Sequence, residues 1–210
     1  MSEQVKEKHP LFYKCLRGCV WFLAHTVFPI KRVNLEKLDG LEAPYILISN
    51  HKTGFDPIAL AYVVRKYQVH FIGKKELSAN WFTNWLLVKM LDSIPVDRHA
   101  SDMAAMRSCV KVLKESKVLG IFPEGTRHKN GLMEEMEGGT ALLALRANVP
   151  IVPVYLTPKL RFFRMCRAII GEPMAVSDLA EKGVDKAVCE ELEKRITAVY
   201  AQMEREYAKK

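Results

Sequence analysis

Residues 44–67, PYILISNHKTGFDPIALAYVVRKY, decide how the rest of the chain is read. The run from Pro44 to Ser49 is short and apolar and reads as a buried strand. Residues 57–67 read as a helix, with Pro57 at the first helical position and Asp56 as its N-cap. A strand running through a polar turn into a helix is the opening of an α/β unit. The turn brings His51 and Asp56 within five positions of each other. Taken alone, the pair suits a surface histidine beside a helix cap, or a general base oriented by a carboxylate.

Toward the C-terminus the pattern repeats. Strands are expected at 69–73, 93–96, 118–122, 151–156 and 167–171. Helices are expected at 81–91, from a Ser101 cap through Met103, Met106, Val110 and Leu113, and at 138–148. A long terminal helix is marked by Val184, Val188, Leu192, Ile196, Val199 and Met203. Pro153 suggests that its strand lies at an edge or carries a bulge. The alternation predicts an α/β domain over residues 40–210, a mixed, largely parallel sheet flanked by helices.

Toward the N-terminus, residues 1–9 are polar, and an apolar stretch begins at Pro10. Thirteen uncharged residues separate Arg17 from Lys31. As a helix they span about 20 Å, short of the ~30 Å hydrocarbon core. A buried helix and a helix lying in the membrane interface both fit. Lys14, Arg17, Lys31 and Arg32 beside Phe12, Trp21, Phe22 and Phe28 tilt the reading toward the interface. Residues 1–39 are accordingly expected to form an N-terminal membrane-interfacial helical segment. No secretory signal is evident.

The chain is 49% hydrophobic and 27% charged, as a folded protein is, and carries a net charge of +8. That charge calls for an acidic partner: phosphate, nucleic acid or anionic membrane. Scattered basic residues and the lack of a recognition motif argue against nucleic acid. The five cysteines include no CxxC pair, so neither a zinc site nor a disulfide framework is expected. Cys15 and Cys19, at i and i+4, point to a packed helix face rather than metal ligation.

There is no G-x-S-x-G elbow, Walker loop, G-x-G-x-x-G or H-E-x-x-H. Three polar clusters remain, each after an apolar strand: the 50–56 turn, IPVDR (94–98) and FPEGTR (122–127). Ligands of open α/β sheets gather at the carboxyl ends of strands, so the three could face one crevice. His51 suits proton abstraction near neutral pH, and Asp56 can accept its other N–H. Arg98 and Arg127 offer forked cations for a phosphate. Glu124, Gly125 and Thr126 offer a carboxylate, a flexible backbone and a hydroxyl for positioning a polyol.

Asn50-His51-x-x-x-x-Asp56 and Phe122-Pro123-Glu124-Gly125-Thr126-Arg127 resemble the first and third signature blocks of glycerophospholipid acyltransferases, the 1-acylglycerol-3-phosphate acyltransferases and their relatives. IPVDR resembles the second block and VPIVPV (149–154) the fourth, so the resemblance covers roughly residues 40–172. It implies acyl transfer from a thioester, on coenzyme A or acyl carrier protein, to the free hydroxyl of lysophosphatidic acid, giving phosphatidic acid. It implies His51 as base, Asp56 as its orienter, and Arg98, Glu124, Gly125 and Arg127 around the acceptor, with no metal and no cofactor. It also implies a monotopic protein, expected on the cytoplasmic face of the cell membrane, against an anionic lipid surface.

Two departures stand out. Thr53 replaces a serine common in the family but keeps the hydroxyl. After the third block, where the family usually carries a basic stretch, this chain has EEMEGG, with Glu134, Glu135 and Glu137. That leaves glycerol-3-phosphate or another lysophospholipid as alternative acceptors. A non-catalytic lipid-binding module of the same fold is the alternative from another class. Residues 157–167 add Lys159, Arg161, Arg164 and Arg167 around Leu160, Phe162 and Phe163, with no acid. They suit a solvated basic face, or contact with anionic lipid or an acidic carrier protein.

Overall fold

The computed structural model describes residues 10–64, 66–74, 94–96, 103–123 and 139–207. The expected helix over 81–91 and the Ser101 cap lie outside them. The described strands are β1 (Ile30–Val33), β2 (Tyr45–Ser49), β3 (Val69–Lys74), β4 (Ile94–Val96), β5 (Val118–Ile121), β6 (Ile151–Thr157) and β7 (Cys166–Ile170). The helices are α1 (Pro10–Thr26), α2 (Asp56–Val63), α3 (Met103–Lys114), α4 (Gly139–Ala147), a short α5 (Ser177–Ala180) and α6 (Lys186–Tyr207).

The strands form one seven-stranded sheet in the order β1-β7-β6-β2-β5-β3-β4. Every neighbouring pair is parallel except β6 and β7. β2 is buried at all positions because helices cover both faces of the sheet, which is why it reads as a continuous apolar run. Its side chains still alternate. Tyr45 and Leu47 pack with Val20, Ala24 and Phe28 of the α1 segment and with Ala59, Leu60 and Val63 of α2. Ile46 and Ile48 pack on the other face with Leu113 of α3, Leu143 of α4, and Leu192 and Ile196 of α6. The result is a three-layer α/β/α sandwich with two hydrophobic layers.

Three sequence expectations change. Of the two readings of Pro153 the edge strand does not hold, since β6 lies between β2 and β7, and the bulge does. The proline is tolerated because the antiparallel pairing slips beside it. Ile151 faces Met174 and Val154 faces Ile170, so three steps on β6 meet four on its partner. At that slip the Gly171 N–H donates to the Pro153 carbonyl at 2.8 Å. A Cβ on Gly171 would stand 2.7 Å from Pro153 Cγ, so only glycine fits so close.

Second, Cys15 and Cys19 are exposed, not packed. The packed stripe of α1 is Val20 and Ala24, continued by Phe28 just past the helix. Cys19 is rotated about 100° from it. Third, β1 pairs with β7, which ties residues 30–33 into the sheet although they fall in the segment expected to stand apart up to residue 39. The antiparallel β7 would otherwise be an open edge. α1 is likewise two-faced, buried at Ala24 while Trp21 and Phe22 are each 57% exposed.

Candidate active site

The site sits where the chain changes direction across the sheet. From β2 the chain passes through α2, on one face, to β3. From β5 it reaches β6 on the other side of β2, through a connection that includes α4 on the opposite face. The carboxyl ends of the adjacent strands β2 and β5 therefore flank a topological switch point, where the diverging connections leave a crevice. The His51 turn follows β2, and Phe122 and Pro123 follow β5.

The Asn50 side chain fixes the start of the turn. It accepts from the Leu156 N–H at 2.8 Å and donates to the Leu156 carbonyl at 3.1 Å, so it pairs with the end of β6 as a backbone unit would. Asn50 is fully buried, and losing either bond would leave polar groups without partners. One residue before β2 ends, the Tyr200 hydroxyl of α6 donates to the Ile48 carbonyl at 2.6 Å and accepts the Val154 N–H at 3.3 Å.

Asp56 is the hub. It is 1% exposed, and its Oδ2 accepts from the backbone N–H of Lys52 at 2.6 Å and of Thr53 at 2.7 Å. Its Oδ1 accepts from the Thr53 hydroxyl at 2.7 Å. The fourth contact is His51, whose Nδ1 lies 3.0 Å from Oδ2. So many donors on one buried carboxylate offset its desolvation and hold it in one rotamer. Asp56 is the first residue of α2 rather than its cap: Phe55 holds the cap position, and no side chain caps the helix. The carboxylate turns back on the preceding loop instead.

The imidazole is held from a second direction. Its ring stacks on Phe122 at 4.3 Å between centroids and 27° between planes. With Nδ1 engaged by Asp56, Nε2 is the nitrogen left for a reacting hydroxyl. Cys166 on β7 has its thiol pushed up to about 12, by burial first and by the nearby Asp56 charge second. Fully buried and raised in this way, it stays a protonated thiol near neutral pH, out of reach of solvent. Among the described residues, no group of three or more His, Cys, Asp or Glu side chains is placed to hold a metal.

The Acyltransferase family model matches residues 29–157, from just before β1 to the end of β6. The chain belongs to this acyltransferase family. It is 32% identical over 185 residues to the 1-acyl-sn-glycerol-3-phosphate acyltransferase of Streptococcus pneumoniae, covering 85% of this chain and 68% of that protein. With the Bacillus subtilis protein of the same name it shares 31% over 157 residues, 72% of this chain and 76% of the relative. Among solved structures, the 1-acyl-sn-glycerophosphate acyltransferase of Thermotoga maritima superposes with a TM-score of 0.60 at 23% identity, covering 87% of this chain and 78% of that one. That likeness shows the fold.

Of the residues singled out by sequence, His51 and Asp56 come together. Arg98, Glu124, Gly125, Thr126 and Arg127 lie outside the described residues, as do Glu134, Glu135 and Glu137. Sequence reasoning gave no separate role to Asn50 or Phe122, although both stand inside the two signature blocks. Asn50 directly before His51, at the end of a buried strand, was the available signal. Nothing local signals that Phe122 reaches a ring 71 positions earlier.

Proposed function

We propose that the enzyme is a 1-acylglycerol-3-phosphate O-acyltransferase whose general base is His51, oriented by Asp56. The contact of His51 Nδ1 with a fully engaged Asp56, at the switch point of the sheet, carries this reading. His51 Nε2 takes the proton of the acceptor hydroxyl as that oxygen attacks the thioester carbonyl. The carbonyl oxygen gathers charge, then the C–S bond breaks, and the departing sulfur takes the proton back from the imidazolium. Asp56 stabilises the imidazolium in between and keeps Nδ1 protonated. No covalent acyl-enzyme is required, in keeping with the protonated thiol of Cys166.

Arg98 and Arg127 are assigned to the acceptor phosphate, and Glu124, Gly125 and Thr126 to its glycerol. The donor is an acyl thioester of coenzyme A or acyl carrier protein. No described helix is long and apolar enough to cross a membrane. The exposed rings of Trp21 and Phe22 support attachment to one leaflet, on the cytoplasmic side where such thioesters are found.

The test is thioester consumption by purified protein with a panel of acceptors. Lysophosphatidic acid is expected to give the highest kcat/KM. Preference for an amine-bearing lysolipid would transfer the assignment to an acceptor suited to Glu134, Glu135 and Glu137. Preference for glycerol-3-phosphate would move the reaction to the other glycerolipid acceptor. The absence of any lysolipid-dependent turnover would leave a lipid-binding module.

A further inference from the structure

The loop between β6 and β7 combines exposed cations with exposed aromatic rings. Residues 158–165 read PKLRFFRM, with three cations and no acid. Leu160 is 3% exposed and anchors the loop, whereas Phe162, Phe163 and Met165 are 58%, 76% and 55% exposed. Phe163 has φ 55, in the left-handed region that is costly for a bulky residue. The Phe163 N–H is held at 2.8 Å by the carbonyl of Val27, at the end of α1, and Arg161 and Arg164 bridge across the tip. The aromatic tip is thus presented by a braced backbone.

The loop is continuous with two other segments. The Phe28 ring lies 4.9 Å from Phe162 and 4.7 Å from Phe55, and Phe55 lies 5.7 Å from Phe162. Phe55 belongs to the turn that carries His51 and is itself 40% exposed. One aromatic cluster therefore joins the end of α1, the catalytic turn and the loop tip. Lys159, Arg161 and Arg164 are exposed around it, and none has an acidic partner among the described residues.

We propose that residues 158–165 form a second membrane contact, separate from α1, in which Phe162, Phe163 and Met165 enter the interface of an anionic bilayer while Lys159, Arg161 and Arg164 meet lipid phosphates. Anionic lipid matches both halves of the loop. An acidic protein partner would match the cations but leave the projecting rings without a role. With α1 on one side, the contact sets the mouth of the His51 site against the lipid surface. Two contacts joined through the Phe28 cluster also fix orientation, which one helix lying in an interface does not.

The measurement is sedimentation of the full chain with vesicles of phosphatidylglycerol and phosphatidylcholine, at low and high salt. Phe162→Ser combined with Phe163→Ser is expected to lower the partition coefficient about tenfold at both salts, the loss of apolar burial being insensitive to screening. Arg161→Gln with Arg164→Gln is expected to lower it more than about tenfold at low salt and little at high salt. The arginine variant should keep the wild-type unfolding midpoint. The aromatic variant, which gives up the contact of Phe162 with Phe28, should remain folded at the temperature of the assay. Partitioning of the folded aromatic variant equal to that of wild type overturns the proposal. So does a wild-type chain that stays in the supernatant. Should the double aromatic variant misfold, Phe163→Ser alone carries the same comparison. Wild-type vesicle binding of the arginine variant, with turnover impaired only for a carrier-protein thioester, would assign the loop to an acidic protein instead. None of these partition readings requires the chain to be an acyltransferase, so they stand or fall apart from the assignment of the reaction.

Discussion

Residues 50–56 and residues 158–165 are both polar-aromatic connections after a central parallel strand or its neighbour, yet they are built to opposite ends. In the first, the buried polar side chains are engaged and Nε2 of His51 is left for the substrate. Asp56 accepts from two backbone amides, the Thr53 hydroxyl and His51. Asn50 pairs with Leu156. In the second, the backbone is braced and Leu160 is anchored, but Phe162, Phe163 and Met165 are more than half exposed and the three cations lie on the surface. A rigid frame with engaged side chains fits chemistry that needs a fixed base. A rigid frame with projecting rings fits a surface that waits for a partner.

The largest effect that would break the comparison is on turnover. His51→Ala is expected to lower kcat by at least about 10²–10⁴-fold while leaving the unfolding midpoint near wild type. Near-normal turnover would remove His51 from the reaction. Asp56→Asn sharpens the point, because the carboxamide cannot accept from all the donors Asp56 now serves. It is expected to lower kcat and to destabilise the fold by about 1–3 kcal/mol, read by chemical denaturation. A loss of activity with no loss of stability would mean that the network matters less than its geometry suggests.

At the exposed region, Trp21→Ser with Phe22→Ser is expected to reduce vesicle binding about tenfold without changing stability, since both rings are more than half exposed. Deleting the whole N-terminal segment is a poorer test. Val20, Ala24 and Phe28 are buried in one hydrophobic layer, and β1 is part of the sheet, so deletion would damage the fold itself.

The smallest effect concerns Cys166. Its thiol is raised from an ordinary 9.0 to about 12 in the folded protein, so from pH 9 upward the unfolded chain loses this proton first. The folded state then binds more protons, and stability falls as pH rises through that window. Cys166→Ala should flatten the slope of stability against pH there and leave kcat unchanged. A marked fall in kcat would bring the thiol into the mechanism.

Periodicity and chemical type were enough to place β2 to β7 and the longer helices to within a few residues, because each depends on neighbours along the chain, but β1 and the short α5 were not foreseen. They were enough to mark His51 and Asp56, because that turn is local. Whether α1 packs in the core or faces a membrane was not legible: the sequence shows which residues are apolar, not which stripe a neighbouring helix covers. Val20 and Ala24 were covered, and Trp21 and Phe22 were left outside. At Pro153 the sequence left an edge strand and a bulge open for a similar reason, and only the pairing decides for the bulge, because the slip lies in the partner segment after β7.

By itself, then, the sequence determined an α/β chain with an imidazole and a carboxylate at the mouth of a buried strand. Only the tertiary structure decided that β5 lies beside β2, which brings Phe122 onto the imidazole of His51. Only it decided that Asn50 pairs with Leu156, 106 positions away, and that Phe28, Phe55 and Phe162 meet. Local pattern is set by backbone geometry and side-chain type within a few residues. Sheet order and the meeting of distant side chains depend on how both faces of the sheet are buried at once, and no short window of the chain carries that condition.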